Sequence, residues 1–166
     1  MPIMRILSKE QARSFDSPPE FNHHERKRYL GLNQIELDFL NTLRQTKTKV
    51  YFVLALGCFK ANGKYYSGGF SVKDQIYVQG KLRYKEELDL VSISRTTQSH
   101  IHNRILKLTG YSKYNKTAET LVSQTVLNMM KSQPKPSLIF AKCLEVLSRN
   151  RIELPTYRSL ADSIYS

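Results

Sequence analysis

The sequence predicts an all-α, compact multi-helix domain with helix-turn-helix-like elements. Three observations predict it. Two asparagines stand three residues before a glutamate, at Asn22/Glu25 and Asn33/Glu36. At that spacing the Asn side chain accepts from a backbone N–H one turn on and the Glu reaches back, which opens a helix. Apolar residues recur at helical period, as at Ile101, Ile105 and Leu108. Glycines stand at the ends of two such runs, Gly63 and Gly110, where a left-handed residue closes a helix cheaply.

Taken in order, Ser8 caps a short helix through Phe15, and Pro18-Pro19 breaks the chain. Asn22 starts a helix that ends near Gly31. Asn33 starts another, carrying Ile35, Leu37, Phe39, Leu40 and Leu43. Val50 to Ala61 is apolar almost without interruption; its length favours a largely buried helix over a strand, with Asn62-Gly63 as the stop. Gly68-Gly69 marks a turn, and a helix follows from about Ser71 to Leu82. Leu88 to Ile93 is ambiguous. Arg95 to Leu108 is clearly helical and stops at Gly110. Lys116 to Lys131 forms the next helix, with Leu121, Val122, Thr125, Val126, Met129 and Met130 on its core side. Pro134 and Pro136 separate it from a helix through Arg149, and Pro155 opens a last one at its first turn. The length of 166 residues suits one domain, or two helical subdomains of about 1–85 and 86–166.

Charge points to a partner. Twenty-six Lys and Arg stand against fourteen Asp and Glu, a formal net charge of +12. The acids are absent from two windows. Phe39 to Lys73 holds Arg44, Lys47, Lys49, Lys60, Lys64 and Lys73, and Leu90 to Ala118 holds Arg95, Arg104, Lys107, Lys113 and Lys116. Same-sign blocks inside foldable sequence suit a polyanion, of which nucleic acid is the commonest.

The segment Ser94 to Lys116 is the sharpest candidate. On a helix, His100, Asn103, Arg104 and Lys107 fall beside the apolar stripe, together with Thr96. Arg95, Thr97, Gln98, Lys113 and Lys116 add donors nearby. Such groups serve phosphates and base edges: Arg forks onto guanine, Asn or Gln onto adenine. Lys47 and Lys49 sit at a helix start, where cations oppose the macrodipole; a phosphate partner would account for them. Lys60 and Lys64 beside Tyr65 and Tyr66, with Lys27 and Arg28, complete the expected backbone contacts.

Other chemistries find little support. Cys58 and Cys143 are far apart and give neither a disulfide framework nor metal-ligand spacing, which suits a reducing cytoplasm. The opening MPIMRILSKEQ lacks the apolar segment of a secretory signal, and the run Val50 to Phe59 is about half a bilayer span. His100 and His102 have no acid or Cys near them in sequence for a zinc site. Arg104 follows His100 by four residues and His102 by two, so the His–Arg spacing of a tyrosine recombinase fails. No glycine-rich phosphate loop is present, and the dispersed acids do not suggest the converging carboxylates of a metal nuclease. No cofactor is expected.

Five segments stand in order along the chain: RILSKEQ (Arg5 to Gln11), ERKRYLGLN (Glu25 to Asn33), KVYFVLALGCFKANGKYY (Lys49 to Tyr66), HNRILKLTGY (His102 to Tyr111) and RIELPTYRSLADSI (Arg151 to Ile164). Together they resemble the N-terminal region of the large replicative transposases of the Tn-three family. The resemblance implies an all-helical domain that recognises transposon terminal inverted repeats in double-stranded DNA. It also implies that strand cleavage belongs to acidic, magnesium-binding residues of a C-terminal region beyond this chain, so that the chain itself is expected to be a non-catalytic fragment. The family often carries more Arg around the fourth piece, where this chain has Ser94, Thr97, Gln98, Ser99 and His102, a departure that bears on base preference. The alternative expectation is a free-standing, transposase-derived repressor or interaction module, pairing with itself or the full-length enzyme near Met129 and Met130.

Overall fold

A computed structural model describes residues 6–165; residues 1–5 and 166, including Arg5 of the first matching piece, lie outside them. The fold is all-α. Among the described residues it comprises α1 (Lys9–Asp16), α2 (His23–Tyr29), α3 (Gln34–Thr42), α4 (Thr46–Asn62), α5 (Val72–Leu82), α6 (Arg95–Thr109), α7 (Lys116–Met130), α8 (Pro136–Arg149) and α9 (Tyr157–Tyr165). The ambiguous stretch before α6 is a short 3-10 helix, Leu90–Ser92.

Contacts divide the chain into two compact units: Pro18–Gly110, and the segments on either side of it taken together. The boundaries therefore fall at 17/18 and 110/111 and not near residue 85. Sequence order misleads here because α1 packs with helices that follow it by more than a hundred residues. The Tyr157 hydroxyl accepts from Leu7 N at 3.3 Å, and Tyr157 N donates to the Asp16 carboxylate at 2.8 Å.

In the Pro18–Gly110 unit, α4 is the axle. Every residue from Val50 to Phe59 is buried, as expected of a helix that is apolar all round. It starts at Thr46, one turn before its apolar run, and ends at Gly63 with φ 67°. Both predicted capping boxes form: Asn22 and Asn33 each accept from the Glu three residues on, and each Glu accepts in return. The helix begun by Asn22 ends at Tyr29, with Leu30 as its cap. In α3 only Glu36, Phe39 and Leu40 are buried, while Ile35 and Leu37 face solvent. Two buried acids cross-link the unit. Asp74 on α5 takes Arg26 at 2.8 Å and the Phe21 N–H at 3.1 Å. Glu36 takes Lys60 at 2.8 Å.

The other unit packs α7, α8 and α9 with α1 around Val122, Phe140, Cys143, Leu147 and Leu160. Ser112 pairs with the 151–153 backbone, donating to Arg151 O at 2.8 Å and accepting from Glu153 N at 2.9 Å. Two expectations are corrected. Met130, the last residue of α7, is 56% exposed. The last helix begins at Tyr157 with Thr156 accepting from Ser159 N, so Pro155 precedes the cap and does not open the first turn.

Candidate nucleic-acid interface

Helix α6 is held at both ends and along one side. Ser94 caps it by accepting from Thr97 N at 3.2 Å. Gly110, with φ 74°, closes it by donating to Leu106 O. Ile101, Ile105 and Leu106 are buried; Leu108, expected in that stripe, is half-buried. What remains for solvent is Arg95, Thr96, Ser99, His100, Asn103, Arg104 and Lys107, all exposed. This face carries no acid, and among the described residues none pairs with Arg95, Arg104 or Lys107.

Aromatic residues from other elements fix the face. Phe39, in the second half of α3, stands edge-on to Phe52 of α4, with centroids 4.8 Å apart. Over the Phe39 ring lie the Arg104 guanidinium, 5.0 Å from the centroid, and the His100 ring at 5.9 Å. A cation so placed is attracted by the ring's negative face. Tyr65 stacks on His102 at 4.1 Å with planes 9° apart, and its hydroxyl donates to Gln98 O at 3.2 Å. The same hydroxyl is hydrogen-bonded to that of buried Tyr51, whose oxygen also lies 3.1 Å from Ser67 O. Burial pushes the Tyr51 phenol up, against the opposing effect of the Tyr65 hydrogen bond.

Other predicted residues divide into those left for a ligand and those used by the fold. Lys27 and Arg28 on α2 are exposed, the latter with its guanidinium 5.3 Å from the Tyr29 centroid. Lys47 donates to Ser92 at 2.9 Å, just before the α6 cap. Lys49 is half-buried on the first turns of α4. That helix start has neither a side-chain cap nor an acid in its first turn. Four expected contacts, Lys60, Lys64, Thr97 and Gln98, are engaged by the fold. Lys60 is tied to Glu36 and to Gly31 O at 3.0 Å. Lys64 is only 3% exposed, its ammonium 5.6 Å from the Tyr66 centroid. Thr97 and Gln98 fasten the α6 N-terminus, Thr97 to Ser94 and Gln98 to Ile93 O at 3.1 Å. Lys113 and Lys116 are exposed but belong to the other unit. There Lys113 lines a cleft of about 660 Å³ of mixed polar and apolar character, with Asn115, Thr120, Leu121, Gln124 and Ile152.

No cluster of three or more His, Cys, Asp or Glu able to hold a metal occurs among the described residues, and no described helix is long and apolar enough to cross a membrane. What sequence reasoning missed is the support that Phe39 and Tyr65 give α6, Tyr65 being expected beside a DNA backbone. Each supports α6 from an element thirty or more residues away, so no local spacing announces it.

The chain matches, over residues 6–166, the family model described as Domain of unknown function (DUF4158). The chain belongs to this family. No curated protein and no solved structure matches the chain.

Proposed function

We propose that this DUF4158 domain binds double-stranded DNA and serves a Tn-three family transposase by recognising transposon terminal inverted repeats. One observation carries the DNA reading: the solvent face of α6 presents two arginines, a lysine, an amide, an imidazole and hydroxyls, with no carboxylate to balance them. A solvated structural helix would ordinarily intersperse acids. The net charge of +12 supplies long-range attraction to a polyanion. The transposase assignment rests on the order of the five matching segments. In this reading the domain positions DNA and leaves strand chemistry to another region.

The test is binding to the terminal inverted repeat flanking the gene against a scrambled duplex of equal length, by fluorescence anisotropy across a salt series. Preference for the repeat that persists at moderate salt supports end recognition. Equal, steeply salt-dependent binding to both would leave only charge-driven association and remove the repeat from the reading.

A second reading has its own observation. Leu127, Met130 and Leu138 are exposed on α7 and α8, an apolar set that suits a protein contact of a repressor or interaction module. Light scattering separates the two: a monomer that binds duplex unaided speaks against the second reading.

A further inference from the structure

The exposed side chains of α6 are not equivalent, and their placement sorts them. Thr96, Asn103 and Lys107 project within about 40° of one another at 3.6 residues per turn, along the middle of the solvent face. Arg95 and Arg104 are nine residues apart, which places them about half a turn from each other, one on each flank. Arg104 is also held aside. Its guanidinium lies over Phe39 of α3, toward the boundary between the solvent face and the core. Asn103 is exposed, and its amide has no partner among the described residues.

A helix in the major groove, which is roughly 12 Å wide, presents its middle to base edges and its flanks to the two sugar–phosphate walls. From this arrangement we infer that Asn103 reads a base edge, while Arg95 and Arg104 grip phosphates on opposite walls. The inference rests on the DNA-binding reading above and deepens it. The amide of Asn103 pairs with the N6 and N7 edge of adenine, so the favoured duplex carries an A·T pair at that step. Phe39 is the positioning residue for Arg104: a guanidinium already settled on an aromatic ring loses less freedom when it meets a phosphate.

The experiment is selection of a random-sequence duplex library by the full chain. Wild type, Asn103→Ala and Arg104→Ala are then titrated with the enriched duplex and a scrambled one between 50 and 200 mM salt. Both side chains are exposed and alanine favours helix, so both variants are expected to fold; thermal melts check this. Asn103→Ala should weaken the enriched duplex by about 5- to 150-fold, leave the scrambled one unchanged and keep the salt slope. Arg104→Ala should weaken both duplexes alike and flatten the log–log salt slope by about 0.9. Phe39→Leu should shift binding in the direction of Arg104→Ala, and add nothing when combined with it.

Loss of one base preference in Arg104→Ala with an unchanged slope would overturn the assignment, as would full discrimination retained by Asn103→Ala. A wild type that binds steeply with salt but enriches no sequence removes base reading and leaves DNA binding standing. A wild type that binds no duplex removes both.

Discussion

Gly57, in the middle of α4, puts packing and helix propensity in direct opposition. An exposed mid-helix glycine replaced by alanine gains about 1 kcal/mol from propensity. At Gly57 a methyl would stand 2.5 Å from Leu30 Cδ2 and 3.0 Å from the Tyr29 carbonyl oxygen. Leu30 is itself buried, and the carbonyl belongs to α2 backbone, so neither can simply swing away. Inserting a methyl into such a site costs about 1–3 kcal/mol, occasionally more. Because one neighbour is buried and the other is backbone, the cost falls in the upper part of that range, about 2–3 kcal/mol, which exceeds the propensity gain and leaves Gly57→Ala destabilised by about 1–2 kcal/mol. The control lies in α5. A methyl at Gly80 meets nothing within 4 Å, so Gly80→Ala should stabilise by about 0.5–1 kcal/mol. Urea unfolding followed by circular dichroism reads both, and the opposite signs are the test. A Gly57→Ala variant as stable as wild type would refute the close approach of α2 to α4.

Further expectations concern the buried acids, the charge and the thiols. Asp74→Ala strands the Phe21 N–H and leaves Arg26 unpaired; urea unfolding should show a loss of about 2–4 kcal/mol, less than for a fully enclosed pair because Arg26 is 19% exposed. If the domain makes about six phosphate contacts, duplex affinity should fall roughly a thousandfold between 50 and 200 mM salt; anisotropy titrations showing a flat response would contradict a phosphate-dominated interface. Burial pushes the Cys58 thiol up to about 12 and the Cys143 thiol up to about 11. Both should therefore resist a thiol reagent at pH 8 and react once denaturant opens the fold. The sign for stability follows. These thiols hold their protons to higher pH when folded than when unfolded, so their contribution is full below about pH 9 and is lost as pH rises through about 11 to 12. Unfolding curves taken from pH 8 upward should show stability falling.

Local structure was legible where its cause is local. The Asn22 and Asn33 boxes and the glycine stops at 63 and 110 depend on neighbours within a few residues, and the unbroken apolar run Val50 to Phe59 announces its own burial. The solvent face of α6 was legible for the same reason: helical period places Thr96, His100, Asn103 and Lys107 together whatever surrounds them. What sequence could not show is pairing at a distance. Lys60 lies in an acid-free window, yet Glu36 reaches it from twenty-four residues upstream. Thr97 and Gln98 resemble their exposed neighbours in composition, but the first turns of α6 consume them. The periodicity of α7 runs on to Met130, where the helix ends in an exposed turn.

The interleaving of the two units bears on synthesis. During translation Pro18–Gly110 is complete as soon as its last residue clears the ribosome, and it can settle through contacts wholly its own. Helix α1 is made before that unit, yet its partner Tyr157 emerges about 140 residues later. It thus waits on distant sequence, and Phe15, which packs on Phe140 with centroids 5.3 Å apart, stays uncovered meanwhile. A nascent chain arrested once residue 110 has cleared the ribosome would carry a finished α6 face together with an unsatisfied N-terminal segment. Limited proteolysis of such arrested chains should find residues 18–110 protected while α1 is still open to cleavage.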